Sequence, residues 1–448
     1  MSRRFSLGRA LASENWNEEE YPNQISAEEA DVMNQEAIEL ADEIQAENAE
    51  VDRMVDVSDS LEDMAVVADQ IVEPTEGEVA MAQIAGDMAT AGDDELTGDD
   101  VVEVAAESGG VRRIAAESLR EKASQVWEQI KKWLKEVWKK VEQFFYKIFG
   151  NIPRLRKEVE AMRKRADQVD EDGKIQKSEN AKMELTNGLD SLKVGQAVTT
   201  KWSETLAGFE KSLTAAKTFA KANELAGFGK TLAEAIDKFE ADKGAGTDGK
   251  GAPIEGVVDA IYKQNSKELK VHVLGNDGKD IDGLLGGRKL VEKFTLTAST
   301  PSNAEKLAAF RGFKVRFETD GDKGVKKDSV NYTALTTTEV LAACDKADEM
   351  LDLLEEFHRG KAKKDMSKYA SEIEKACTKV SKAADSISND DVVTKATLVA
   401  DAKAVYRLST TYAQVCSTVT TQLYAHSLAN VRTLLMLCAK SLSTYTKD

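Results

Sequence analysis

The sequence predicts a mainly α protein: an acidic, disordered or helical N-terminal arm, a helical body, and a small α/β insert within that body. Three observations predict this. Only 5 prolines occur in 448 residues, and alanine, lysine, glutamate, leucine and valine are abundant, the mix of a largely helical chain. Apolar residues recur at helical spacing in long stretches before residue 240 and after residue 338. Alternation with period two is concentrated between 254 and 335. The boundaries that follow are 1–107 for the acidic arm, 108–253 for an aromatic, lysine-rich helix and helical body, 254–335 for the β-containing insert, and 336–448 for a C-terminal helical bundle.

Residues 1–20 are short and polar. In 26–72, Ile38, Ala41 and Ile44, then Met64, Val67 and Ile71, fall at helical spacing, and Ser26 with Glu29 has the form of a capping box. This predicts one or two acidic amphipathic helices. Residues 73–110 are rich in Glu, Asp, Gly, Thr and Ala with few large apolar groups, which predicts a flexible linker.

Residues 111–149 read VRRIAAESLREKASQVWEQIKKWLKEVWKKVEQFFYKIF. Trp127, Ile130, Leu134, Val137, Val141, Phe144 and Ile148 step by 3, 4, 3, 4, 3 and 4 residues. That is a sustained heptad seam. Trp133, Trp138, Phe145 and Phe149 widen the apolar face, and lysine dominates the polar positions. Gly150 and Pro153 end the helix. Residues 118–149 carry eight basic and four acidic residues, a net +4.

Helices continue through 154–240, broken near 170–173 and at Gly195. Residues 244–256 (GAGTDGKGAPIEG) form a loop. Strands are expected at 268–275, 290–298 and 313–319. Helices return at 338–359, 363–388 and 391–445, supported by Leu341, Leu351, Leu354, Ile373, Val380 and Ile387.

The search for reactive chemistry yields little. Cys344, Cys377, Cys416 and Cys438 lack metal-ligand spacing and sit in helical patterns, so reduced, buried thiols are expected. His272, His358 and His426 are not spaced to bind zinc and read as packing or surface histidines. Phosphate-loop, nucleophile-elbow, zinc-protease and dinucleotide-binding words are missing from the sequence. The stretches DGDKG (320–324) and NDGKDIDG (276–283) lack the closing glutamate of a calcium loop and read as turns. Gly286 and Gly287 before Arg288 and Lys289 also read as a turn. No cofactor and no metal are expected. The N-terminus has no apolar core for a secretory signal, and no run of 18 apolar residues predicts a membrane span.

The helix at 118–149 has four uses open to it. It can pack in the core of the body, pair with partner chains through its seam, lie on an anionic membrane with its tryptophan face, or touch DNA. The residues carrying an interaction would be Trp127, Ile130, Trp133, Leu134, Val137, Trp138, Val141, Phe144 and Phe145.

Charge divides the chain. Residues 1–107 hold 4 Arg, no Lys and 30 acidic residues, a net of −26; the other 57 basic and 49 acidic residues give the remainder +8, and the two sum to the −18 of the whole. The sign changes where Ala-Ala-Glu-Ser is written twice, at 105–108 and 115–118, around Gly109, Gly110, Arg112 and Arg113. Helix chemistry is one explanation of the repeat, since Ala and Glu are strong helix formers. A doubled processing site is the other, since proteases need extended, accessible backbone. Further small-x-Glu words lie at 12–14, 26–28, 41–43 and 60–62, all within the acidic arm.

The acidic Glu-rich arm, the small-x-Glu words at its boundary and the Trp/Lys helix that follows together resemble the internal head proteins of giant tailed bacteriophages of the phiKZ type. The resemblance rests on residues 1–150. It implies a protein made in the bacterial cytoplasm and packaged in the phage prohead. It further implies that a phage prohead protease removes a propeptide after Glu in Ser/Ala/Gly-x-Glu sites. The mature body would remain in the virion interior with other internal head or capsid proteins and the packaged DNA, some such bodies being ejected into the host. On this resemblance the candidate scissile bonds are Glu107–Ser108 and Glu117–Ser118, with Glu14–Asn15 a further one. Non-specific DNA contact would be weak and salt-sensitive. Three other classes stand beside it: a cytosolic adaptor with a permanent acidic arm, a membrane-active effector working through 118–149, and an enzyme with a site in 254–335.

Overall fold

The first long helix, α1 (Asn151–Glu171), has Pro153 in its first turn, where a missing N–H removes no helical hydrogen bond. Ile152, Leu155, Val159, Met162, Ala166 and Val169 are buried along it, a stripe stepping by three and four residues. Gly173 ends it at φ +63°, with the Lys174 amide donating to the Val169 carbonyl at 3.0 Å. In this computed structural model the described residues are 151–176, 181–186, 189–217, 281–293, 314–320, 329–385 and 410–446. The single positions 44, 46, 53, 132, 136, 139–141, 143, 144, 226, 227, 229, 230 and 232–234 are also described. Among them 72% are helical and 16% are in strands, so the chain is mainly α, as its composition predicts.

Short strands follow α1: β1 (Ile175–Gln176), β2 (Lys182–Leu185), β3 (Lys193–Val194) and β4 (Ala197–Val198), with a 3₁₀ turn at Leu189–Leu192. This corrects the expectation of helices broken only near 170–173 and at Gly195: the first break is present at Gly173, but strands and a 3₁₀ turn, not helix, fill the residues described from 175 to 198. The break at Gly195 is where it was expected, but it is the tip of the β3–β4 hairpin, at φ +61°. In β2, Met183 and Leu185 are buried and Lys182 and Glu184 exposed, an alternation of period two. Then α2 (Trp202–Ala216) brings Phe209, Ser212 and Leu213 into the interior.

A three-stranded antiparallel meander is formed by β5 (Ile281–Leu284), β6 (Arg288–Lys293) and β7 (Lys314–Thr319). Two of these agree with the expected strands at 290–298 and 313–319. The third expected strand, 268–275, lies outside the described residues. β5 occupies part of a segment expected to be a turn; Ile281 and Leu284 are buried there, and their burial outweighs the glycine and aspartates between and before them. The expected turn at Gly286 and Gly287 is present, with φ +94° and +63°. Its two amides both donate to the Lys193 carbonyl, at 2.7 and 2.9 Å, so they are used in holding the meander to β3. β8 (Val330–Thr333) pairs antiparallel with β2, from Lys182 opposite Thr333 to Leu185 opposite Val330.

Thr336 caps α3 (Thr337–Arg359): its hydroxyl accepts from the Glu339 amide and the Glu339 carboxylate accepts from the Thr336 amide, a complete capping box. α4 (Lys361–Asp385) follows. Helical residues from Thr410 then run through a π turn at Thr418–Gln422 into α5 (Leu423–Leu442). This run is about 50 Å long at 1.5 Å per residue and is buried over most of its length. Its Ser and Thr side chains are satisfied inside the helix: Thr421 donates to the Ser417 carbonyl, Ser427 to Leu423 and Thr433 to Ala429, at 2.7 to 3.0 Å. Back-bonding of this kind lets small polar residues sit in a dry interior. The chain closes with β9 (Tyr445–Thr446) antiparallel to β1.

One hydrophobic core joins these parts. Leu155 and Val159 of α1, Phe209 of α2, Leu290 and Phe317 of the meander, Leu351 of α3 and Leu434 of α5 belong to it. So do Ile44, Val141 and Phe144. Arg156 and Arg163 of α1 reach across to α3, where Arg156 pairs with Asp352 at 2.6 Å and Glu355 at 2.9 Å, and Arg163 with Asp345 at 2.7 Å and Asp348 at 2.8 Å.

Candidate functional site

The candidate interaction helix is described at positions 132, 136, 139–141, 143 and 144, all helical. Lys132, Glu136, Lys139 and Gln143 are exposed, while Val141 and Phe144 are buried. Exposed residues at steps of four, three and four mark one face, and the seam residues Val141 and Phe144 mark the other. At these two positions the seam faces the core of the same chain. Trp127, Ile130, Trp133, Leu134, Val137, Trp138 and Phe145 lie outside the described residues.

Phe144 stands edge-on to Tyr424 of α5, with centroids 6.3 Å apart and planes at 80°. Tyr424 in turn meets Phe357 of α3 at 6.4 Å. Positive ring edges against negative faces favour such tilted contacts. The three rings tie the lysine-rich helix to the end of α3 and to the buried helix. Burial pushes the Tyr424 hydroxyl well above its ordinary range. The candidate scissile residues Glu107, Ser108, Glu117, Ser118, Glu14 and Asn15 lie outside the described residues. In the arm, the described positions Ile44, Ala46 and Arg53 are helical; Ile44 is 1% exposed and Ala46 is exposed.

A polar node inside the core was not foreseen from the sequence. His426 of α5 is buried between α2 and the meander. Its Nε2 lies 2.9 Å from Asn430 Nδ2 and 3.2 Å from Ser212 Oγ. With Nε2 accepting from the Asn430 amide, the neutral ring carries its proton on Nδ1. Ser212 Oγ lies 3.1 Å from the Gly208 carbonyl, which can accept its proton, and it accepts from the Leu285 amide at 3.1 Å. Phe317 covers the imidazole at 4.7 Å. Burial, then the nearby Arg288 charge, draws the His426 pKa down to about 3. A serine beside a histidine suggests an activated nucleophile, but Ser212 is 0% exposed and its hydroxyl is committed to two backbone groups. The node fixes β5 and the Gly286 turn onto α2 and α5. Its only sequence signal is His426 and Asn430 four residues apart on one helix, which is too common to single out.

The expected fate of the thiols holds for three of them: Cys344, Cys416 and Cys438 are free and buried. The side chain of Cys377 lies outside the described residues. Arg432 of α5 is 2% exposed, and burial draws its guanidinium down to about 10 against the opposing pull of Glu158. Among the described residues no group of acidic, histidine and cysteine side chains is placed to hold a metal ion, and no helix is long and apolar enough to cross a membrane.

Compared with known families, the chain matches the model of the phiKZ-like phage internal head proteins over residues 26–429. No curated protein and no solved structure matches it.

Proposed function

The chain belongs to the phiKZ-like phage internal head proteins, structural proteins of the phage head interior, and from that premise we propose that it is made as a precursor whose acidic arm is removed during head maturation. The charge step carries this reading: −26 before residue 108 and +8 after it, at the place where Ala-Ala-Glu-Ser is doubled. The family match covers the arm from residue 26 as well as the body, so the arm is part of the family's chain.

The physical logic is one of crowding and charge. Many copies share a small prohead with other head components. An arm of −26 keeps copies apart and occupies the place that DNA charge will take. Cutting after Glu107 or Glu117 leaves a body of 108–448 or 118–448. From Ser118 the count is 55 basic against 48 acidic residues, a net of +7. Such a body no longer repels phosphate, and touches DNA non-specifically and weakly. The cutting enzyme is a phage prohead protease acting after Glu, with Glu14–Asn15 as an additional site. The body itself is not an enzyme in this reading. The retained body divides into the helical part to 253, the β-containing insert at 254–335 and the helical bundle from 336, and it is a candidate for ejection with the DNA.

The test is intact mass and N-terminal sequencing of the protein from purified virions. A mature N-terminus at Ser108 or Ser118 supports processing at the doubled word. A chain that still begins at Met1 or Ser2 overturns it.

A further inference from the structure

In the processing reading the acidic arm is cut off and lost. Ile44 says otherwise. It lies in the acidic arm, yet it is helical, 1% exposed, and part of the one core that holds Leu155, Phe209, Leu351 and Leu434. Ala46, two positions on, is helical and exposed. Two helical steps turn a side chain by about 200°, so one side of this segment enters the core and the opposite side faces solvent. Arg53, also helical, is half-buried.

We propose that the arm is docked in cis on the body through the buried, helical Ile44, and that a cut at the 107–118 boundary therefore leaves a nicked complex in which the arm is still bound. This rests on the processing reading for its place in maturation, but not for the docking itself. The arm's −26 and the body's +8 add a long-range attraction, while the buried isoleucine supplies contact that salt does not screen. The occupant of the body's surface is thus this chain's own segment around residue 44.

The docking also orders the cuts. The small-x-Glu word at 41–43 ends immediately before Ile44. A protease needs extended backbone, and a helical, buried Ile44 withholds the Glu43–Ile44 bond. The boundary is cut first, and the arm departs only when its docked segment comes off or is cut in turn. The charge of the body is exposed to DNA at that second event and not at the first.

The experiment uses the full chain with a recognition sequence for a site-specific protease inserted between Glu107 and Ser108. After complete cutting, native mass spectrometry and size exclusion at 0.15 M and 1 M NaCl read whether the arm stays with the body. Retention is expected at both salt concentrations. Ile44→Asp is expected to release the arm on cutting; Ile44→Ala should release it in part; Ala46→Asp, on the exposed side, should retain it. Separation of the wild-type arm on cutting overturns the docking, as does an Ile44→Asp arm that stays as firmly as wild type. If Ile44→Asp does not fold, the Ile44→Ala and Ala46→Asp pair decides, since equal retention by both overturns the proposal. The two readings fail separately. An arm that leaves while the virion protein begins at Ser108 or Ser118 overturns docking alone, and an arm that stays while the virion protein begins at Met1 or Ser2 overturns processing alone.

Discussion

The Phe144 ring stands edge-on to Tyr424, 6.3 Å between centroids and 80° between planes, and both residues are 0% exposed. This contact seats the lysine-rich helix in the body at that point. Phe144→Ala leaves a cavity beside Tyr424 and is expected to cost about 3–5 kcal/mol, part of it the lost aromatic pair at ~1 kcal/mol. Gln143→Ala, one residue away on the exposed side, is expected to change stability by less than about 0.5 kcal/mol. Urea titration of both variants checks the difference. Equal, small effects would mean that Phe144 is not held by the core.

His426 makes stability depend on pH. Its folded pKa of about 3 lies below the ordinary value near 6.5, so the unfolded chain binds a proton that the folded chain refuses. Stability is therefore full above about pH 6.5 and falls as pH drops toward 3, by up to ~1.4 kcal/mol per pH unit. His358, drawn down to about 4 by burial and then by Lys363 and Arg359, acts in the same direction with a smaller effect, being only part-buried. Comparison with His426→Gln isolates the first term. Between pH 7 and pH 4.5 wild type should lose about 2–3 kcal/mol more than the variant. Parallel curves would show that the imidazole is not buried neutral.

Gly208 is where α2 touches the β3 hairpin. A Cβ placed there would lie 2.4 Å from Val194 Cγ2 and 3.4 Å from the Leu285 backbone. Valine is stiff about χ1 and cannot swing aside freely. Gly208→Ala gains helix propensity, about 1 kcal/mol in the favourable direction, yet overpacking of this kind costs about 1–3 kcal/mol. A net loss of stability is expected, readable as a lower thermal midpoint. Gly227→Ala, where a Cβ meets nothing within 4 Å, should stabilise instead.

The parts of this fold that are legible in sequence are those decided locally. α3 is legible through Leu341, Leu351 and Leu354 at helical spacing, and the Thr336–Glu339 capping box sets its start at Thr337, one residue before the expected 338. β7 is visible as the alternation around Val315 and Phe317. β2 and β1 are not, because two to four residues carry too little pattern. Their pairing is made by residues far along the chain, Val330 to Thr333 for β2 and Tyr445 to Thr446 for β1. The burial of α5 is hidden for another reason. His426, Asn430, Arg432 and Thr433 read as a polar face, and only the packing of other elements over them puts them inside, as Ser212 of α2 does for His426. For the candidate site, the seam period of the lysine-rich helix was legible, but a heptad seam reads the same whether it meets its own core or another chain. Phe144 against Tyr424 distinguishes the two at that position.

The thiols test whether the helices carrying them move as one unit. Cys344 on α3 and Cys438 on α5 are both 0% exposed. The hydrogen bond with Cys344, then burial, pushes the Cys438 thiol up, the same contact draws Cys344 down, and burial pushes Cys416 up against a hydrogen bond from Tyr412. Reaction needs access as well as thiolate, and all three are 0% exposed, so they should resist a maleimide or disulfide reagent at pH 8 in the native protein and react at once in denaturant. Mass mapping of labelled peptides assigns each site. Because α3 and α5 pack directly on one another, exposing either thiol requires separating the two helices, and Cys344 and Cys438 should label at the same rate, with the same urea dependence as global unfolding. Faster labelling of Cys438 alone would mean that the end of α5, with its β9 strand, opens independently of α3, and that the β1–β9 pairing contributes little to holding the C-terminus down.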